Sequence, residues 1–153
     1  MNLPAAAASL AILLGQAALP AADPWIGTWK LDASRSGRTP GAGRNTTVVY
    51  ALVGEEVKVV TEGVDGTGRP TRTEWTGKLD GRDYPTKGDD TADVRSYRKV
   101  DARTLAFTGK KGGVVTISGR IVVSPDGKSR TVTATAIDPN GNPVTTTAVF
   151  SRQ

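Results

Sequence analysis

The sequence predicts an all-β protein, a single antiparallel up-and-down β-barrel of about ten strands with little or no helix behind an N-terminal leader. Three observations carry this expectation. From Trp25 onward, short runs of β-branched residues alternate with polar ones, the period of a strand with one covered face. Between the runs stand hairpin signals: Gly54-Glu55, Asp65-Gly66-Thr67-Gly68, Asp80-Gly81, Gly112-Gly113, Asp126-Gly127 and Asn140-Gly141. No stretch of useful length after the leader has a helical period. A meander of so many strands with no helix to cover it has two edges to protect; closure into a barrel removes both, and a sandwich is the alternative.

The elements follow in order. Residues 1–22 carry no charge, and Ala5 to Leu14 form an apolar run of signal-peptide length, too short to cross a bilayer. Small residues follow at Gly15-Gln16-Ala17 and Pro20-Ala21-Ala22. We therefore expect 1–22 to be a signal peptide, cleaved after Ala17, Ala21 or Ala22, and the barrel domain to occupy 23–153 in the periplasm or outside the cell. The opening Met1-Asn2-Leu3-Pro4 departs from that pattern in having no Lys or Arg. Strands are expected near 25–32, 46–52, 56–63, 70–79, 82–84, 91–100, 104–109, 113–123, 129–137 and 143–152. The long connection Ser34 to Asn45, rich in Gly, Ser and Arg, should cross or lie beside one mouth of the barrel.

Side-chain parity assigns the interior. The inward set is Trp25, Gly27, Trp29 and Leu31; Val48, Tyr50 and Leu52; Val57, Val59 and Thr61; Thr73, Trp75, Gly77 and Leu79; Leu105 and Phe107; Val115, Ile117, Gly119 and Ile121; Val132, Ala134 and Ala136; Thr146, Ala148 and Phe150. Strand 91–100 has two readings, with Val94, Ser96, Arg98 and Val100 on one face and Arg95, Tyr97 and Lys99 on the other. An inward unpaired charge is costly, which favours Arg95 in solvent. Many inward positions are small: Gly77, Gly119, Ala134, Ala136 and Ala148 fill volume poorly, which predicts an internal cavity near Trp75, Phe107 and Ala134.

Composition narrows the chemistry. The chain has neither Cys nor His. Disulfides, thiolate metal sites, cysteine nucleophiles and lipid attachment through cysteine are excluded, and the commonest general base and metal ligand is missing. No catalytic constellation stands out, so a non-enzyme without cofactor or metal is expected. Asp89, Asp90 and Asp93 match no calcium-loop spacing, and Asp138-Pro139-Asn140-Gly141-Asn142 reads as a hairpin turn. The 20 Lys and Arg outnumber the 15 Asp and Glu, a net charge of +5 spread along the chain. Arg35, Arg38 and Arg44 lack interleaved aromatics, and nucleic acid is not an expected partner. The expected state is a monomer neither spanning nor anchored to a membrane.

Four segments, taken in order, resemble the lipocalin-like or calycin families: Gly27-Thr28-Trp29, its continuation to Ser36, Asp80-Gly81-Arg82-Asp83-Tyr84-Pro85, and the ending Val149-Phe150-Ser151-Arg152. More closely, they resemble small exported bacterial proteins of unknown function with a lipocalin-like domain, and the resemblance covers nearly all of 23–153. It implies that Gly27, Trp29 and Arg152 close the barrel. In lipocalins a first-strand Trp plugs one end, and a basic side chain of the last strand lies across its ring, a cation–π contact of roughly 0.5 to 2 kcal/mol. The chain departs from secreted lipocalins in lacking a C-terminal helix and a disulfide. It departs from intracellular fatty-acid-binding proteins, whose strand count it shares, because Ser34 to Asn45 is too short for two helices.

The expected ligand is a small apolar or amphipathic molecule inside the barrel; an envelope interaction protein with a solid barrel is the alternative. Tyr50, Trp75 and Phe107 would supply apolar and stacking surface, Arg95 and Tyr97, if turned inward, would meet a polar or anionic head group, and Tyr84 would rim the open mouth or sit in a rigid turn.

Overall fold

The computed structural model describes residues 23–153; the expected signal peptide, 1–22, lies outside the described residues. Ten strands follow in chain order: β1 Gly27–Asp32, β2 Arg44–Val53, β3 Glu56–Val64, β4 Pro70–Gly77, β5 Tyr84–Lys87, β6 Val94–Asp101, β7 Thr104–Lys111, β8 Val114–Val123, β9 Ser129–Ile137 and β10 Pro143–Arg152. A single turn of 3-10 helix, Ala33–Arg35, follows β1. Each strand runs antiparallel to its chain neighbours, and β1 pairs with both β2 and β10, so the sheet closes into one barrel. Among the described residues no helix is long and apolar enough to cross a membrane.

The hairpins close on aspartate. Asp32, Asp65, Asp80, Asp89, Asp101, Asp126 and Asp138 each accept, through Oδ1, the backbone N–H two residues on. This is the Asx turn, in which the side chain takes the place of a backbone acceptor. Asp65 is held most fully, receiving the Thr67 N–H at 2.8 Å, the Thr67 hydroxyl at 2.6 Å and the Arg69 N–H at 3.0 Å. In the Gly112-Gly113 turn both residues take positive φ, +56° and +79°, which only glycine adopts without strain, and the Gly112 N–H donates to Asp93 Oδ2 at 2.9 Å.

The connections divide between two ends. Segment Asp23–Ile26 and the turns β2–β3, β4–β5, β6–β7 and β8–β9 gather at one end, the floor; the remaining connections surround the mouth. Trp25, Trp29, Val48, Tyr50, Val57, Val59, Trp75, Tyr97, Leu105, Phe107, Ile121, Val123 and Phe150 form a continuous buried core.

Parity fails at two places for physical reasons. Leu52 is 64% exposed, because β1 begins at Gly27 opposite Tyr50 and no strand flanks Leu52 on that side. Val115 is 48% exposed: a bulge between Gly109 and Lys110 leaves Thr116 without a partner and pairs Val115 with Lys110, which reverses its face. The fifth strand also moves, from the expected 82–84 to Tyr84–Lys87. The Asp80 turn and a backbone bond from Gly81 N to Tyr97 O hold 80–82 in a loop. β5 is correspondingly weak, with two residue pairs to β4 and two to β6.

The turn aspartates give the barrel an acid limit. Hydroxyl or backbone N–H donors hold the carboxyls of Asp32, Asp80, Asp101 and Asp126 below the usual range and that of Asp65 down at about 2. Each folded-state pKa lies under the unfolded value of about 3.9, so the stabilisation is complete above about pH 4 and drains away as pH falls through the folded values. The melting temperature should drop between about pH 4 and pH 2. Asp65→Asn with Asp126→Asn, which keep an Oδ1 acceptor, should flatten that slope in a pH series of thermal melts. A slope as steep as the parent's would contradict the assignment.

Candidate functional site

The floor is assembled around the Trp29 indole, which is fully buried. Its Nε1 donates to the Trp25 carbonyl at 2.9 Å, drawing Asp23–Ile26 under the barrel. The Arg152 guanidinium lies 4.4 Å from the Trp29 ring centre and donates to three carbonyls: Gly127 from Nε at 2.8 Å, Ile26 from Nη1 at 2.7 Å, and Pro24 from Nη2. Gly27 has φ +136°, and a Cβ there would stand 2.6 Å from Arg152 Nη1, so the closing guanidinium needs glycine beneath it. Lys99 pairs with Asp23 at 2.7 Å and stands 5.8 Å from the Trp25 ring centre.

Above the floor, one wall is aromatic. Trp75 from β4, Tyr84 from β5, Tyr97 from β6 and Phe107 from β7 pack edge to face or tilted, with ring centres 4.7 Å apart for Trp75–Tyr97, 5.7 Å for Trp75–Tyr84 and 6.2 Å for Tyr97–Phe107. Tyr50 reaches Tyr97 from β2 at 6.2 Å, edge to face. Tyr84 therefore packs into the barrel and does not rim the mouth, its hydroxyl donating to Asp80 at 2.9 Å.

The rings occupy the volume that small residues leave. A Cβ on Gly77 would stand 2.5 Å from Tyr84 Cγ and 2.8 Å from Trp75 Cζ2, and one on Gly119 would stand 2.8 Å from Phe107 Cζ. The cavity expected around Trp75 and Phe107 is thus filled, because glycines that look like missing volume in the sequence are seats for rings: Tyr84 of β5 and Trp75 of β4 itself at Gly77, and Phe107 of β7 at Gly119. Two shallow hollows, about 350 and 230 Å³, share the outward-pointing Glu62 and Arg72 and belong to the outer wall of β2–β4. The opposite interior wall stays small. Ala134, Ala136 and Ala148 are half-buried, and Thr146 is exposed although its parity points inward.

Two further arginines occupy the interior. Arg95 turns inward, against the expectation that it lies in solvent, because Asp89 compensates its charge: Nη2 and Nε donate to Asp89 Oδ2 at 2.6 and 2.8 Å. Burial works against the charge on both partners, but Tyr97 and then Asp89 raise the Arg95 pKa, and Arg95 with the Thr91 hydroxyl lowers that of Asp89. Trp75 Nε1 donates to the Arg95 carbonyl at 3.0 Å, tying ring to strand. Burial, reinforced by Tyr50, pushes the Tyr97 phenol far above its ordinary value, so it remains protonated.

Sequence parity passed over Arg130, which is 2% exposed. Its guanidinium stands 5.1 Å from the Trp29 ring centre and 5.0 Å from those of Tyr50 and Phe150. Its Nε and Nη1 are buried without a hydrogen-bond partner among the described residues. Burial draws its pKa down, opposed by Tyr50 and Tyr97, yet a guanidinium stays charged in a protein. The signal was available: Arg130 shares the inward parity of Val132, Ala134 and Ala136 on β9.

The structure thus brings together Tyr50, Trp75, Tyr84, Arg95, Tyr97 and Phe107 in one interior layer, with Gly27, Trp29 and Arg152 at the floor. Among the described residues no group of three or more acidic side chains is placed to hold a metal ion. No protein-family model and no curated protein sequence matches the chain. Solved structures do. EF1p2_mFAP2b bound to DFHBI is similar with a TM-score of 0.50 and 13% identity, over 85% of this chain and 94% of that one. The redesigned β-barrel mFAP1 bound to DFHBI is similar with a TM-score of 0.47 and 14% identity, over 84% and 95%. At such identity the likeness to EF1p2_mFAP2b concerns the barrel fold alone.

Removing the floor clamp should be costly. Arg152→Ala leaves the Gly127, Ile26 and Pro24 carbonyls without their donor and should lower unfolding stability by about 2 to 4 kcal/mol, read from urea denaturation. A loss below about 0.5 kcal/mol, the range of an ordinary surface substitution, would refute the clamp.

Proposed function

We propose that this protein is an exported, non-catalytic, lipocalin-like binding protein that takes a small amphipathic molecule through the mouth of its barrel. The observation that carries the reading is the open wall of β9 and β10: Ala134, Ala136, Thr146 and Ala148 point inward yet remain accessible, above a floor of rings. A binding site for a small molecule is a concave, mostly apolar surface with a few placed polar groups, and here Arg95, Tyr97 and Tyr50 supply those groups. EF1p2_mFAP2b carries DFHBI, which supports the capacity of such a barrel for a small ligand. The interior carboxylate Asp89 is engaged by Arg95 and Thr91, an arrangement that favours binding over proton transfer. The apolar run Ala5 to Leu14 supports export.

A solid barrel acting through its loops is the second reading, favoured by Val114 at the β7–β8 tip, which is 67% exposed. Native mass spectrometry of protein purified from the producing envelope should reveal a bound small molecule. A long-chain aliphatic alcohol added to stripped protein should alter the emission of Trp75. Thr146→Trp, which adds bulk at an exposed inward position, should weaken that binding at least tenfold while changing stability by no more than about 0.5 kcal/mol. No bound mass together with no response to the alcohol would overturn the proposal in favour of the solid barrel.

A further inference from the structure

We propose that the mouth-side half of β10, Pro143 to Thr147, is a docking edge for an extended acidic peptide, which pairs with it as an added strand. This edge is separate from the barrel interior and acts whether or not the barrel holds a small molecule.

The edge exists because β1 is shorter than its neighbours. β10 pairs with β9 from Pro143 to Ser151, but with β1 only from Val149 to Arg152. After Asp32 the chain leaves the sheet in the turn Ala33–Arg35. The Ser36 hydroxyl then receives the Val149 N–H at 2.9 Å, and the Gly37 N–H donates to the Thr147 carbonyl at 2.9 Å. By Gly41 the chain has crossed to the β3–β4 turn, where it lies against Gly66. Val149 and Thr147 therefore present backbone groups on the side away from β9, and by the alternation of an antiparallel ladder so do Thr145 and the Pro143 carbonyl. The Thr145 N–H and C=O have no backbone partner on that side among the described residues. Pro143 to Thr147 are exposed at every position, whichever face of the strand they occupy. Unpaired N–H and C=O groups along a strand are a template for another extended chain. Natural edges are commonly blunted by charge, and Val144 to Thr147 carry none.

Charge selects the partner. Arg38 follows Gly37 directly, and Arg44 opens β2 on the far side of the line that β1 leaves. Arg120 is in register with Thr133, and through it with Thr147. All three arginines are exposed and have no carboxylate partner among the described residues. The carboxylates at either end of the edge are taken up by their own turns: Asp32 by the Ser34 N–H and hydroxyl, and Asp138 by the Asn140 and Asn142 N–H groups. The electrostatic complement of this edge is therefore an acidic chain. An added strand sets alternate side chains beside Val144 and Thr146 on the inner face and beside Thr145 and Thr147 on the outer one. Apolar residues suit the first set of positions, and glutamate or aspartate the second.

The test is an amide NMR titration of the labelled protein, at low ionic strength, with the capped peptide Glu-Val-Glu-Val-Glu. Two control peptides accompany it: Lys-Val-Lys-Val-Lys, and the acidic peptide methylated on its backbone nitrogens. The acidic peptide should shift the Thr145 amide, protect it from solvent exchange and bind at least tenfold more tightly than either control. Thr145→Pro removes the free donor without breaking a bond to β9 and should weaken binding at least tenfold. Arg38→Ser with Arg44→Ser should narrow the preference over the lysine peptide to about twofold. Equal binding of the methylated peptide would overturn strand pairing in favour of charge attraction alone. Equal binding of the lysine peptide would overturn the acidic partner. A Thr145 amide already protected without peptide, in a dimer that grows with protein concentration, would assign the edge to a second copy of the chain and overturn the proposal. So would the absence of any response to the acidic peptide. The control peptides decide the question on the wild-type protein even if a variant fails to fold, and none of these outcomes bears on small-molecule binding in the interior.

Discussion

Closure is the constraint on which the rest of the molecule depends. A ten-stranded antiparallel sheet becomes a barrel here because β1, six residues long, pairs with strands from both ends of the chain. So short a strand holds four pairs on each side, too few to fix the seam by backbone hydrogen bonds alone. The Trp29–Arg152 contact reinforces it. The arginine comes from β10, its indole from β1, and its carbonyl acceptors from the N-terminal segment and the β8–β9 turn, so one side chain joins the three chain segments that meet at the floor. The requirement passes to Gly27, whose missing Cβ is the space the guanidinium uses.

Once the barrel is closed, its interior divides. Strands β4 to β7 contribute rings, and strands β8 to β10 contribute glycine and alanine along the opposite wall. Rings packed edge to face supply stability that a purely aliphatic core of this composition would lack. The cationic groups sit between the two, at the mouth-side end of the aromatic layer for Arg95 and at its floor side for Arg130. Burying two such charges in one barrel is expensive. Asp89 relieves the first, and ring faces relieve the second in part.

Much of this architecture was legible in the sequence. Turn chemistry located nearly every hairpin, because Asp-Gly and Gly-Gly act through their own backbone and nearest neighbours, and those are visible in one dimension. Alternation recovered the inward face of most strands. What escaped depends on contacts between strands distant in the chain. Gly77 and Gly119 look like voids until Tyr84 and Phe107 arrive from neighbouring strands. Arg95 looks like a surface residue until the Asp89 turn folds over it. The bulge at Gly109 and Lys110 reverses Val115 by a register event that alternation does not encode. Arg130 belonged to the inward set by parity, and its charge alone kept it out.

The brevity of β5 bears on how the barrel comes apart. Every other junction in the sheet is held by at least four residue pairs, whereas β5 has two on each flank. Thermal breathing or mechanical load will part the cylinder there first, and parting on one flank leaves β5 itself as one of the two new edges, opposite β4 or β6. The strand is composed as if for that event. Pro85 removes one donor from its ladder and Lys87 places a charge at its end, the two devices by which natural sheets discourage edge-to-edge growth. The weakest junction of the molecule thus carries its own protection against polymerisation.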